Sequence, residues 1–245
     1  MIDDYPVSAQ PAWSLVAGEL LAAVAAGLLM PFGVRDSAAR TARQRDQRTV
    51  VLVHGYLSNR STLLPLATYL RWRGFEHVLS FNYRSSAGIE RGALALRDYL
   101  RRHVRGGRID LVCHSLGGLV ARVYLQQLGG ARRVDRCITL GTPHYGTYNA
   151  YWLTSRVGAE LRPDSAVLRR LGAPTDARRV RLVSIVAGSD NLVIPRVFAR
   201  YDDEVYVGDV GHLGMVFSPR VLRRVADALG EPVPERALAT APAFA

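Results

Sequence analysis

One stretch near the middle of the chain limits the folds open to it: the apolar run 109–113, then His114 and Ser115, then Leu116-Gly117-Gly118. The run is predicted to be a buried strand, and residues 116–128 have the spacing and terminal glycines of a helix. A serine at such a sharp strand-to-helix turn needs small neighbours two residues on either side, because a bulky one would block the bend. Cys113 replaces the usual glycine on one side and is small enough to fit. The stretch therefore predicts an exposed serine nucleophile.

The segments around this turn alternate between apolar strands and helices with one apolar face. Predicted strands are 49–53, 78–83, 109–113, 134–140, 180–187 and 204–207, and predicted helices are 61–73, 88–104, 116–128, 165–171 and 219–229. This alternation predicts an α/β fold with a mostly parallel central sheet and helices on both faces.

A chain of 245 residues fits one catalytic domain, which we assign to residues 49–230. Within it, residues 142–177 interrupt the alternation and form a long connection with several aromatic side chains. Such an insertion is either a lid or pocket wall or plain packing, and the sequence leaves both open. Residues 231–245 are rich in Pro and Ala and are predicted to be a loose tail.

Residues 1–48 form a separate N-terminal segment that ends in an Arg-rich linker. Residues 13–34 are almost wholly apolar, but Glu19 leaves an uncharged run of only 15 residues (20–34), which is short of the roughly 20 that a membrane span needs. A signal peptide begins with basic residues, whereas this chain begins with Asp3 and Asp4. Neither interpretation fits cleanly, and the third is a helix packed on the domain or on a membrane surface. If residues 13–34 do span a membrane, the arginines that follow them predict that the catalytic part faces the cytoplasm. We therefore expect a membrane-associated or cytoplasmic protein rather than a secreted one.

The composition narrows the classes of partner. The formal charge is +11 and all 32 basic residues are arginines, yet they are scattered and do not alternate with aromatics, so nucleic-acid binding is not expected. An anionic lipid surface or an ordinary solvated surface accounts for the charge. The two cysteines, Cys113 and Cys137, lie in predicted strands and are expected to be buried thiols, although one bridge between neighbouring strands stays open. The spacing of Cys and His predicts no metal site.

A serine nucleophile needs a histidine base and a carboxylate that orients it. His212 lies in the Gly-flanked segment 210–214, after the last predicted strand, and Asp190 follows the strand 180–187. The chain order Ser115, Asp190, His212 is the order of the α/β-hydrolase triad. Asp190 is alternatively a plain turn residue, and the later rivals Asp202, Asp203 and Asp209 are less favoured.

The strand 49–53 ends in His54-Gly55-Tyr56, about 60 residues before the serine. Backbone N–H groups that point at the developing oxyanion stabilise acyl transfer, and we assign them to Tyr56 and Leu116. His54 is expected to shape the turn through local hydrogen bonds.

Five motifs in this order resemble the bacterial triacylglycerol lipase and esterase family of the α/β-hydrolases, over residues 49–229. They are Val53-His54-Gly55-Tyr56, Cys113-His114-Ser115-Leu116-Gly117-Gly118, Leu140-Gly141-Thr142-Pro143-His144-Tyr145-Gly146-Thr147, Asp190-Asn191-Leu192-Val193-Ile194-Pro195 and Gly211-His212-Leu213-Gly214. The resemblance implies hydrolysis of carboxylic esters, with lipid or acyl esters as substrates, through an acyl-enzyme intermediate and without a cofactor. The third motif is expected to line the substrate pocket with His144 and Tyr145.

Two other functions use the same fold. The apolar N-terminal segment and the arginine excess fit a membrane-associated acyltransferase or lipid-remodelling enzyme that transfers the acyl group to an alcohol other than water. A non-catalytic α/β-hydrolase scaffold is less favoured, since all three triad residue types are present.

Overall fold

The structure is a computed structural model that describes residues 12–33, 48–172, 180–194 and 203–230. The predicted tail 231–245, most of the Arg-rich linker and the end of the 142–177 insertion lie outside the described residues. The described helices, in chain order, are α1 (Ala12–Leu29), α2 (Leu64–Trp72), α3 (Ile89–His103), α4 (Leu116–Gln127), α5 (Arg156–Leu161), α6 (Ala166–Leu171) and α7 (Pro219–Gly230). The described strands are β1 (Thr49–Val53), β2 (Val78–Phe81), β3 (Ile109–His114), β4 (Val134–Leu140), β5 (Arg181–Ala187) and β6 (Asp203–Val207).

The six strands form one sheet in the order β2-β1-β3-β4-β5-β6, and every neighbouring pair is parallel. β1, β3 and β4 are buried at every position, as expected for strands covered on both faces. Alternate side chains of β1 enter two separate cores: Val51 and Val53 pack on the side of α3 and α4, whereas Val50 and Leu52 pack on the side of α2 and α7. The predicted fold class, a parallel sheet between two layers of helices, is confirmed.

Two predicted boundaries shift for local reasons. β2 ends at Phe81 instead of residue 83, because the Tyr83 backbone N–H donates to Nε2 of His54. The helix predicted from residue 61 begins as a 3₁₀ turn, Arg60–Leu63, and α2 starts at Leu64 with Pro65 in its first turn, where proline is tolerated.

The strand order reverses between β1 and β3, which are neighbours in the sheet. In open parallel sheets such a switch point leaves a crevice outside the carboxyl ends of the strands. The residues predicted for chemistry follow these ends: Tyr56 comes after β1, Ser115 after β3, Asp190 after β5 and His212 after β6. The topology therefore collects them at one edge of the sheet.

The N-terminal helix α1 and the turn Met30–Gly33 that follows it rest on this domain. Asn59 Nδ2 donates to the Met30 carbonyl at 2.9 Å, and Asn82 Nδ2 donates to the Gly33 carbonyl at 3.1 Å. Trp13–Gly33 is the one stretch of the described residues that is long and apolar enough to cross a membrane by length and composition, with a mean hydropathy of 2.0. Only 6% of it is buried, so most of its side chains face outward.

Candidate active site

Ser115 occupies the turn between β3 and α4 in a conformation that side chains rarely adopt, with φ 53° and ψ −123°. Its N–H donates to the Leu140 carbonyl at 2.8 Å, and its carbonyl accepts from Thr142 Oγ1 at 2.9 Å. A strained backbone held by surrounding contacts is typical of functional turns. The predicted strand-turn-helix context of this serine is confirmed.

The turn is closed because Gly117 lies directly against the end of β1. A Cβ on Gly117 would stand 2.6 Å from the Val53 carbonyl oxygen and 2.7 Å from that of His54, and a Cβ on Gly118 would collide with Thr142. Both glycines are therefore required by close approach of the backbone. Cys113, on the other side of the serine, is a fully buried member of the α3/α4 core.

Ser115, His212 and Asp190 form a continuous chain of hydrogen bonds. Ser115 Oγ lies 2.9 Å from His212 Nε2, and His212 Nδ1 lies 2.7 Å from Asp190 Oδ2. With Nδ1 carrying the ring proton, Nε2 accepts from the serine hydroxyl and is placed to remove its proton. The structure thus brings together the three residues that the chain order predicted.

Asp190 is held in an ionised form by its surroundings. Its Oδ1 accepts from the N–H groups of Leu192 and Val193, each at 2.9 Å, while Oδ2 faces His212. Burial alone would raise the pKa of this carboxyl, but the hydrogen bonds from His212 and the two amides lower the pKa below its usual value. Of the rivals, Asp203 pairs with Arg181, Asp209 has a left-handed backbone with φ 57°, and Asp202 lies outside the described residues.

The loop after β1 passes beside the nucleophile. A Cβ on Gly55 would lie 3.0 Å from Ser115 Cβ, and Leu57 then turns the chain with φ 51° while its N–H donates to Ser85 Oγ. Leu116 is the first residue of α4, so its N–H has no acceptor within the helix. These positions agree with the prediction that the N–H groups of Tyr56 and Leu116 form an oxyanion hole, which stays a prediction.

A cavity of about 470 Å³ opens beside Ser115 and His212. The loops after β1 and β5 form part of its wall, with Leu57, Leu192 and Val193. The 142–177 insertion contributes Pro143, Thr147, Asn149, Ala150, Leu153 and Leu161. Its aromatic side chains Tyr148, Tyr151 and Trp152 are exposed instead, so small and aliphatic residues of the insertion form this wall.

The prediction that His144 and Tyr145 line the pocket differs from the structure. His144 is buried with Nε2 at 3.1 Å from Thr139 Oγ1, and its carbonyl accepts from Arg122 at 2.8 Å. Burial and the Arg122 charge lower the pKa of His144 well below its usual value. Tyr145 is partly exposed, and the described residues that line the cavity here are their neighbours Pro143 and Thr147. The turns at Gly141 and Gly146, both with positive φ, decide which side chains point inward.

Two further histidines shape the site in neutral form. His54 Nδ1 donates to the Gly55 carbonyl and its Nε2 accepts from the Tyr83 N–H, so it shapes the turn as expected. His114 Nε2 donates to the carbonyl of His212 at 3.1 Å, a contact that the sequence did not predict. Burial lowers the pKa of His54 to about 4, and burial together with the nearby His212 lowers that of His114 to about 3.

Sequence reasoning also missed α1 as part of the site. Ala23, Ala26, Gly27 and Met30 line the cavity beside the triad. The signal in the sequence was the lone charge in an apolar helix, Glu19, whose carboxylate binds the loop after His212.

Two further predictions concern metal ligands and the cysteines. No group of three or more His, Cys, Asp or Glu side chains in the described ranges is arranged to hold a metal ion. Cys113 and Cys137 are both free and buried, which settles the open question of a bridge in favour of thiols. Burial and the adjacent Cys137 thiol raise the pKa of the Cys113 thiol well above its usual value.

Comparisons with known proteins agree with this fold. Residues 94–214 match the family described as PGAP1-like alpha/beta domain, and residues 31–152 match a domain of unknown function, DUF7379. The mature form of the Bacillus licheniformis lipase BlEst2 superimposes with a TM-score of 0.65 at 14% identity, covering 80% of this chain and 94% of that one. Aspergillus fumigatus lipase B gives 0.64 at 16% identity, covering 81% and 56% of the two chains. The phospholipase PlaB from Legionella pneumophila gives 0.52 at 17% identity, covering 58% and 40%.

The parallel sheet with a serine in a strained strand-to-helix turn has the α/β-hydrolase fold. The match to the PGAP1-like alpha/beta domain and the likeness to solved lipases confirm the predicted resemblance to the lipases and esterases of that fold.

Proposed function

We propose that this protein is a serine hydrolase that cleaves carboxylic esters of lipids through an acyl-enzyme intermediate. The observation that carries the proposal is the hydrogen-bond chain from Ser115 through His212 to Asp190, which opens into a largely apolar cavity. Nucleophile, base and orienting carboxylate are the three groups that acyl transfer to serine needs.

The reaction follows from the positions of these groups. Ser115 Oγ attacks the ester carbonyl carbon while His212 Nε2 takes the hydroxyl proton, and Asp190 stabilises the imidazolium that results. The N–H groups of Tyr56 and Leu116 bind the oxyanion of the tetrahedral intermediate. The bond to the alcohol breaks as His212 returns the proton to the leaving oxygen, and water then attacks the acyl-enzyme by the same steps and releases the acid.

The test compares wild type with Ser115→Ala on p-nitrophenyl esters of increasing acyl length. We expect Ser115→Ala to lose turnover by about 10⁶-fold, because the nucleophile is removed, and to lose labelling by a fluorophosphonate probe. Ser86→Ala changes an exposed serine in the 3₁₀ turn Ser85–Ala87, before α3; it is the matched control and is expected to keep both. Equal turnover by wild type and Ser115→Ala would reject the proposal.

The substrate class is argued from the surroundings of the cavity. Exposed apolar side chains line the cavity from the turn after α1, from the 142–177 insertion and from the loops after β1 and β5; they are Met30, Leu153, Leu57 and Leu192. A contiguous apolar rim on an exposed surface favours a lipid surface or another apolar partner. The likeness to PlaB, which is a phospholipase, agrees with membrane lipids as the source of the ester.

The same proposal locates the enzyme at a membrane surface through residues 13–34. The contacts of Glu19, Met30 and Gly33 with the domain support a helix that lies in the interface, since a helix fixed to the domain at its middle and again just after its C-terminal end is not free to span a bilayer alone. Its outward side chains are apolar, and the +11 charge favours anionic lipid.

A further inference from the structure

Glu19 is the only charged residue of α1, and its carboxylate is bound to the loop that carries His212. Glu19 Oε2 accepts from the Leu213 N–H at 2.9 Å, and Oε1 accepts from the Gly214 N–H at 2.7 Å. Leu213 and Gly214 directly follow His212, whose Nε2 lies 2.9 Å from Ser115 Oγ. A carboxylate that accepts two backbone N–H groups is a strong and directional contact.

The glycines around His212 are shaped to this carboxylate. A Cβ on Gly211 would collide with the Glu19 side chain, and a Cβ on Gly214 would stand 2.9 Å from its Oε1. Any other residue at these two places would push Glu19 away from the loop. Gly211 and Gly214, which flank His212 in the sequence, thus leave room for the side chain of Glu19 on α1.

The rest of the histidine loop is held from the interior of the domain. The Val210 carbonyl accepts from the Ser189 N–H at 3.0 Å, and the His212 carbonyl accepts from His114 Nε2 at 3.1 Å. These contacts fix the backbone up to His212. The two N–H groups that follow are fixed by Glu19, so the loop is held on its outer side by α1.

We propose that Glu19 is a positioning residue of the active site: it fixes the loop after His212 so that the imidazole stays within reach of Ser115. This inference rests on the proposed function and deepens it, because α1 then positions the catalytic histidine in addition to contacting the membrane. Displacement of a catalytic group by about 1 Å costs on the order of 100-fold in rate. A lost contact one residue from the base therefore affects the chemical step more than substrate binding.

The experiment measures kcat and KM on a water-soluble p-nitrophenyl ester, without lipid, for wild type, Glu19→Leu, Glu19→Gln and the control Glu76→Leu. Glu76 is an exposed carboxylate just before β2, at the opposite edge of the sheet from the site. We expect Glu19→Leu to lower kcat by roughly 10- to 100-fold with KM changed by less than about twofold. Glu19→Gln keeps one acceptor oxygen and is expected to recover part of the loss. Glu76→Leu is expected to behave as wild type.

Membrane binding is separated from positioning by the choice of leucine. Glu19→Leu removes the one charge of an apolar helix, so its binding to vesicles of anionic phospholipid is expected to equal or exceed that of wild type. Fluorophosphonate labelling of Ser115 is expected to slow in parallel with kcat.

Wild-type kcat in Glu19→Leu, or a rise in KM with unchanged kcat, would overturn the positioning role. If Glu19→Leu does not fold, as judged by circular dichroism, Glu19→Gln decides, because it preserves volume: a wild-type kcat there rejects the inference. Absence of turnover and labelling in wild type would instead reject the proposed function.

Discussion

In the turn that carries Ser115, glycine is required two residues after the serine and not two residues before it. Gly117 faces the carbonyl oxygens at the end of β1, where no Cβ fits, whereas Cys113 points into the core between the sheet and α3/α4. A side chain two residues before the serine is therefore accommodated as part of a strand. Cys113 replaces glycine without opening the turn.

Asp190→Asn tests the orienting carboxylate at this scale. The asparagine oxygen is still able to accept from the Leu192 and Val193 amides, but its NH₂ then faces His212 Nδ1 and favours the tautomer with the proton on Nε2, which is unable to accept from Ser115. We expect kcat to fall by about 10³- to 10⁴-fold with a small change in KM. The measurement is steady-state hydrolysis of a soluble ester.

Asp203→Asn is the matched control for this change, because Asp203 pairs with Arg181 at the edge of the sheet. It is expected to retain turnover. Loss of kcat in Asp203→Asn and not in Asp190→Asn would show that Asp203, and not Asp190, orients His212.

Residues that follow strand ends were predictable, because the chain order alone carries them to one edge of the sheet. Ser115, Asp190 and His212 were found in this way. The pocket residues were not, because the direction of a side chain in 142–147 depends on the left-handed turns at Gly141 and Gly146. Sequence separation places such a loop near the site but does not say which residues face the cavity.

Of the helices and strands, α1 is the one whose packing surface is least predictable from its sequence pattern. Its apolar residues surround the whole helix, so periodicity identifies no face for packing. The two sides of the helix differ instead in the size of their side chains. Small residues such as Ala22 and Ala26 face the domain, and large ones such as Trp13 and Leu28 are more than 70% exposed. The element was predictable as an apolar helix, and its docking surface was not.

Leu28→Glu tests whether the outer side of α1 binds lipid. Leu28 contributes to no wall of the catalytic cavity and is 71% exposed, so a charge there removes apolar area from the membrane contact. We expect binding to anionic phospholipid vesicles to weaken by roughly tenfold or more, since burial of a leucine side chain is worth about 2 kcal/mol. Vesicle co-sedimentation measures the change, with turnover of a soluble ester expected to remain within about twofold of wild type.

Leu94→Glu introduces the same charge at an exposed leucine of α3 and is the comparison. Equal loss of vesicle binding by the two variants would show that net charge, and not the surface of α1, governs association.

At the scale of the whole molecule, one group of ion pairs lies at the opposite ends of the strands from the candidate site. At these amino ends, Arg48 Nε lies 2.8 Å from Asp110 Oδ2, and Arg108 pairs with Asp135. Arg136 is buried beside Asp110 and donates to the Leu229 carbonyl of α7. Part of the arginine excess thus stabilises the amino ends of the strands, whereas His54 and His114, two buried histidines with lowered pKa values, lie at the carboxyl ends, beside the candidate site.

Those neutral histidines make the fold sensitive to acid. A histidine whose pKa is lowered in the folded state contributes stability above its unfolded pKa of about 6.5, and this contribution is lost as the pH falls toward the folded value. For His54, with a folded pKa of about 4, the loss between about pH 7 and pH 5 is about 2 kcal/mol. Asp110, whose pKa burial raises to about 6, works in the opposite direction and offsets part of it.

Urea unfolding at about pH 7 and pH 5 measures this dependence. We expect the free energy of unfolding of wild type to fall on acidification, and that of His54→Gln to fall less, because the buried group no longer takes up a proton on unfolding. An identical decrease in the two proteins would contradict the assignment of His54 as a buried neutral base.

The contact between Glu19 and Leu213 joins residues that are 194 positions apart. A ribosome must therefore release all the residues between them before this contact forms, and His212 emerges only one residue before Leu213. A nascent chain that exposes α1 to a membrane but stops short of residue 212 has neither His212 nor its support. In the proposed enzyme, the sequence distance between Glu19 and Leu213 delays lipid cleavage until both have left the ribosome, without a separate inhibitor.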